Sequence, residues 1–144
     1  MACDHAGYEL KLVIKSFLEE KGFEVMDFGT HSTESCDYPD FAHKLGCSIN
    51  NGTYKRGIVI CGSGNGVQMT ANKYNKVRCA LCWIPEIAHL ARQHNDANVI
   101  SMPARFISEE TAKQIVEEFL NTPFEGGRHE RRVEKISCLI DTID

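Results

Sequence analysis

The chain has 144 residues, a formal charge of −4 and 42% hydrophobic residues, which suits one domain (residues 1–144) with a substantial core. The mixed-sign, slightly acidic balance gives no support for a nucleic-acid surface, and the apolar runs are too short to span a membrane. Asp4, His5 and Glu9 near the start do not fit a signal peptide, and seven irregularly spaced cysteines fit a reducing, cytoplasmic setting better than a disulfide framework.

Hydrophobic runs alternate with amphipathic segments. Met1 to Cys3 reads as the end of a first strand. Apolar residues at Leu10, Leu12, Val13, Ile14, Phe17 and Leu18 predict a helix from Tyr8 to Lys21, closed by Gly22. Phe23 to Phe28 reads as a second strand, followed by a polar loop to Asp37. Pro39 suits the first turn of a helix running to about Asn50. The apolar run Gly57 to Cys61 predicts a third, buried strand, and the turn after it leads into a helix at Val67. Val77 to Ile84 reads as a fourth strand, Pro85 opens the next helix, and Asn98 to Met102 reads as a fifth strand. Ser108 caps a helix with Glu109 and Glu110 in its first turn. Gly126 and Gly127 break the chain before a last helix from about Arg128. This alternation predicts a parallel sheet with helices on both faces. Ligands of such sheets bind beyond the carboxyl ends of the strands, at a topological switch point. Asp4, His5, Cys61 to Gly66 and Arg105 all follow predicted strands.

The segment Cys61-Gly62-Ser63-Gly64-Asn65-Gly66 is the richest in chemistry. A strand, a glycine-rich turn and a helix start together make an anion site, and a cysteine beside the free amides gains stabilisation of its thiolate. A dinucleotide fingerprint fits less well, because Val67 stands where the third glycine belongs, although Glu86 lies at a plausible distance for a ribose-binding acid. A Walker loop lacks its Lys-Ser or Lys-Thr pair. Asp4 and His5 read equally as a helix cap or as site residues. Arg92-Gln93-His94-Asn95-Asp96-Ala97-Asn98 reads as a helix terminus or as a polar cluster near a sheet edge. Arg128 and Arg132, four residues apart, share a helix face that suits either solvent or a phosphate. Cys79 and Cys82, three apart within a predicted strand, face opposite sides, which disfavours a disulfide or zinc site. His31, His43 and His89 lack ligand spacing, so no metal is expected.

Five segments in this order closely resemble ribose-5-phosphate isomerase type B: Cys3 to Gly7, Asp37 to Ala42, Cys61 to Gly66, Arg92 to Val99 and Glu125 to His129. The wider family includes galactose-6-phosphate isomerase subunits and allose-6-phosphate isomerases. The resemblance implies a three-layer α/β/α sandwich, Rossmann-like, with a five-stranded parallel sheet in the order 2-1-3-4-5. It implies an aldose–ketose isomerase without metal or cofactor, a homodimer or sometimes a tetramer, and active sites shared between subunits. The C-terminal helix from about residue 127 is then expected to pack on the partner subunit. By this resemblance Cys61 is the base, the Gly62 to Gly66 amides (Gly62, Gly64, Asn65 and Gly66) hold the enediolate, and Ser63 shuttles a hydroxyl proton. Asp4 and Asn95 contact sugar oxygens, His94 opens the ring, and Tyr38 lines the pocket. His5, Arg105, Arg128 and Arg132 meet the phosphate. One branch of the family carries a glutamate base just after the turn; Val67 and Cys61 put this chain in the cysteine branch. Only Met1 to Cys3 precede the Asp-His pair, fewer residues than the family's first strand has. A hexose 6-phosphate substrate and a non-catalytic sugar-phosphate-binding module are the competing expectations.

Overall fold

The computed structural model describes residues 1–137; Cys138 lies outside them. Four strands, β1 (Ala2–Cys3), β2 (Gly57–Cys61), β3 (Cys79–Leu81) and β4 (Val99–Pro103), form a parallel sheet in the order β1-β2-β4-β3. Six α-helices accompany them: α1 (Tyr8–Glu20), α2 (Tyr38–Asn50), α3 (Asn65–Ala71), α4 (Pro85–Asn95), α5 (Glu109–Asn121) and α6 (Glu130–Glu134). None of the described helices is long and apolar enough to cross a membrane.

The α/β class holds, and two details of the expected sheet are corrected. Phe23 to Phe28 is not a strand of the sheet. Instead the segment around it runs beside β1. The Met1 amino group donates to the Met26 carbonyl at 2.6 Å, and the Phe28 amide donates to Met1 at 2.9 Å. Thr30 donates to Cys3 at 2.8 Å, while Cys3 donates to Gly29 rather than to Phe28. Gly29, at φ +97°, breaks the ladder's repeat there. The last two strands also exchange places: β4 lies between β2 and β3. All five residues of β4 are buried, whereas Ala80 and Leu81 of β3 are half-buried, as on an edge. The expected final helix is also interrupted, with 3₁₀ turns at Gly127–His129 and Lys135–Ser137 around the short α6.

Alternation along the strands divides the core into two layers. Ile58, Ile60, Ile100 and Met102 pack with Ile14, Leu18, Ile115 and Phe119 of α1 and α5. Val59, Cys61 and Val99 pack with Leu45, Ile49, Val67 and Ala71 of α2 and α3. Cys79 and Cys82 fall in different layers, as their spacing predicts, and both are free thiols. Burial pushes Cys82 up to about 12 and Cys3 up to about 11, so these thiols are packing groups.

One core residue departs from the hydrophobic rule. Lys11 on α1 is fully buried, and its Nζ donates to Asp27 Oδ1 at 2.6 Å and to the Thr30 carbonyl. It thereby ties α1 to the segment beside β1. Burial would raise the Asp27 pKa, but hydrogen bonds from Lys11 and the Gly29 amide outweigh it and hold the carboxyl below its ordinary value. A depressed carboxylate adds stability above its unfolded pKa of about 4 and loses it as pH falls through the folded value. Asp27→Asn is therefore expected to destabilise the protein by about 3 kcal/mol at neutral pH. Thermal melting should show the variant and the wild type converging as pH falls below 4.

Candidate active site

Parallel strands deliver β1 and β2 to the same carboxyl edge, and the chain leaves β1 towards one side while β2 lies on the other. That gap is the switch point at which such sheets take ligands. Asp4, His5, Ala6, Tyr38, Cys61, Gly62, Ser63, Gly66, Arg105 and Phe106 line an open cleft there of about 390 Å³. Eight of these are candidate residues named from the sequence or the resemblance, and Ala6 and Phe106 are additional to them.

Each is held by local structure. Asp4 follows β1, is 8% exposed, and accepts the Gly7 amide at Oδ1 (3.0 Å), capping the 3₁₀ turn His5–Gly7. It acts as a cap and a cleft residue at once. His5 Nδ1 accepts the Cys36 amide at 3.3 Å, which places its ring proton on Nε2. The Cys36 thiol lies 4.0 Å from the same nitrogen, a neighbour that no periodicity marks in the polar loop.

Cys61 closes β2 and is 5% exposed. The Gly64 amide donates to its Sγ at 3.1 Å, a bond that a thiolate accepts more strongly than a thiol. The Asn65 amide takes Ser63 Oγ at 3.4 Å, while the Gly62, Ser63 and Gly66 amides have no acceptor among the described residues. The turn is thus a set of fixed donors beside a sulfur. Gly64 sits at φ +76°, a left-handed conformation, and its carbonyl accepts the buried Ser101 hydroxyl. A Cβ at Gly64 would run into Leu81 Cδ1. Gly64→Ala is expected to lose about 1–2 kcal/mol through left-handed strain, more through that overlap, and at least tenfold in turnover. Melting and steady-state kinetics on one preparation check both effects.

Tyr38 starts α2 and lies on Gly66, where a Cβ would come 2.6 Å from its ring. Arg105 donates its amide to the Gly62 carbonyl at 3.1 Å, and its side chain crosses the turn, 3.2 Å from a Cβ placed on Gly62. A guanidinium, an imidazole and free amides converge on one cleft, a set suited to an anionic ligand. Phe106, 75% exposed, stands at its mouth.

The other predicted residues lie elsewhere. His94 and Asn95 end α4, which leads into β4, so they lie at the amino edge of the sheet. A five-residue strand separates the edges by roughly 17 Å. Within one chain they therefore lie apart from the cleft. The His94 ring stacks on His129 at 4.3 Å and 11°, with Glu125 Oε2 at 3.9 Å from its Nε2. Arg128 donates from Nε to His129 Nε2 at 3.4 Å, and Arg132 lies exposed on α6. Arg92, in the same segment, is structural: it is buried and donates to Asp96 Oδ1 and the Ala97 carbonyl, each at 2.7 Å.

Fold and cleft together define a parallel α/β protein that places a thiol and an anion cradle at its switch point. Residues 1–136 match the family described as Ribose/Galactose Isomerase, and the chain belongs to that family. It is 44% identical over 137 residues to ribose-5-phosphate isomerase B of Escherichia coli, covering 95% of this chain and 92% of that protein. Among solved structures, the ribose 5-phosphate isomerase of Thermotoga maritima superposes with a TM-score of 0.92 at 51% identity, covering 94% of each chain. The Mycoplasma genitalium ribose-5-phosphate isomerase B with bound ribulose-5-phosphate gives 0.91 at 43% identity, covering 94% of this chain and 91% of that one.

Proposed function

We propose that this protein interconverts D-ribose 5-phosphate and D-ribulose 5-phosphate through an enediolate. The observation that carries the reading is the Cys61 thiol held against the Gly64 amide, in a cleft shared with Asp4, His5 and Arg105. Within this family the pairing of a base with fixed amides has a direct use. A proton next to a carbonyl is weakly acidic, and it leaves readily only if the developing oxyanion is stabilised as it forms. Cys61 takes the proton from one carbon and returns it to the neighbour. The free amides of Gly62, Ser63 and Gly66 hold the enediolate oxygens, and Ser63 passes the hydroxyl proton. Asp4 and Asn95 orient the sugar hydroxyls along Tyr38. His5, Arg105, Arg128 and Arg132 bind the phosphate, whose binding energy positions the distant reacting carbons. His94 opens the sugar ring. The substrate's own carbonyl stabilises the carbanion, so no metal or cofactor enters this scheme.

His94 and Asn95 lie at the opposite edge from Cys61, Arg128 is tied to them through His129, and α6 lies beside Asp96, so one chain does not bring these residues to its own cleft. We therefore read the protein as a homodimer of single-domain chains, in which the amino-edge group and the segment from Gly127 complete the partner's cleft. A cytoplasmic setting accords with the six free cysteines among the described residues.

The substrate is tested by kcat/KM on ribose 5-phosphate beside allose 6-phosphate and galactose 6-phosphate. We expect the pentose to be favoured by about tenfold or more, the range that one extra carbon and its hydroxyl command in a shaped pocket. A reversed ratio would transfer the protein to the hexose branch, and binding without turnover of any of the three would make it a binding module.

A further inference from the structure

His129 is a buried residue that the scheme above leaves unused. It is 6% exposed, at the end of the 3₁₀ turn Gly127–His129, with one face stacked on His94 at 4.3 Å. Its Nε2 accepts Arg128 Nε at 3.4 Å, and Glu125 Oε1 lies 3.8 Å from that nitrogen. His94, Glu125 and His129 have their potential ligand atoms within 4.8 Å of one another, the composition of a metal site. Their geometry opposes that use. The rings are parallel within 11°, so their in-plane lone pairs do not converge on one point. The His129 lone pair is also engaged by a guanidinium, whose charge repels a cation.

The same geometry serves orientation. We propose that His129 is a positioning residue for two functional side chains at once: its ring sets the plane of His94, and its Nε2 aims Arg128. The proposal rests on reading His94 as the ring-opening residue and Arg128 as a phosphate ligand. The surrounding charges fit it. Burial, then His94, Arg128 and Arg132, hold His129 below the usual imidazole range, against the opposing pull of Glu125. A neutral ring accepts the Arg128 bond.

Three substitutions separate the two tasks, assayed from ribose 5-phosphate to ribulose 5-phosphate. His129→Phe keeps a flat ring and loses the acceptor; kcat should stay within about twofold while KM rises about five- to tenfold, as for a lost bond to a charged group. His129→Gln keeps an acceptor and loses the ring; kcat should fall about tenfold with KM little changed, because the misplaced His94 acts less well. His129→Leu should show both losses. Melting temperature and dimer content, read for each, separate these losses from unfolding. Phe and Gln variants with the same kinetic profile, whether intact or impaired, would overturn the proposal. His94→Asn and Arg128→Ala distinguish the underlying reading. If they keep full rates, the roles of His94 and Arg128 fail and the proposal fails with them. If they lose rate while the Phe and Gln variants behave alike, only the positioning role of His129 fails.

Discussion

Cys61→Ala is expected to yield a folded dimer that has lost isomerisation. The thiol is 5% exposed in the layer between β2 and α2–α3, and alanine removes one heavy atom without burying a polar group. The stability cost should be about 1 kcal/mol, read as a small drop in melting temperature. The catalytic cost is far larger, because a positioned base contributes roughly 10²–10⁴ in rate. The amides of the turn and the phosphate contacts persist in the variant, so KM should change little while kcat collapses. Cys61→Ser keeps the size and replaces the thiol with a far weaker acid, so it should be nearly as inactive. Near-wild-type turnover by either variant would remove Cys61 from the proton transfer.

The second large effect concerns the proposed division of the site between chains. Cys61 closes β2 at the carboxyl edge, and His94 ends α4 at the amino edge. Cys61→Ala and His94→Asn homodimers should each be severely impaired. A heterodimer of the two, co-expressed with different affinity tags and purified on both, pairs an intact Cys61 from one chain with an intact His94 from the other. By two-fold symmetry one of its two sites is whole, so it should recover about half of the wild-type activity. If instead each chain built its own site, both sites of the heterodimer would be damaged and no activity would return.

The features legible in the sequence are those with local signals. Four consecutive apolar residues and a cysteine mark β2, Pro85 opens α4, and the Ser108 hydroxyl caps α5 by accepting the Thr111 amide. The thiol and its glycine turn are contiguous, so the centre of the cleft was visible as well. Lateral order was not. Periodicity reports which residues are buried but not which strand lies beside which: β2 and β4 are both buried throughout, and only the pairing shows that β4 lies between β2 and β3. Lys11 was hidden because a cation beside an apolar stripe ordinarily reads as solvent-facing. Its partner Asp27 lies 16 residues away. The place of His94 at the amino edge had a signal in chain direction. A residue ending a helix that feeds a parallel strand lies at the amino edge whatever its chemistry. Chain direction, rather than the clustering of polar side chains, decides which edge a residue joins.

The most direct measurement is the interconversion of ribose 5-phosphate and ribulose 5-phosphate by the purified protein, in both directions, with a chelator present. Turnover in the ordinary enzymatic range, roughly 1–10³ s⁻¹, abolished in Cys61→Ala, is the expected result. A folded, dimeric protein that binds ribose 5-phosphate and leaves it unchanged would contradict it.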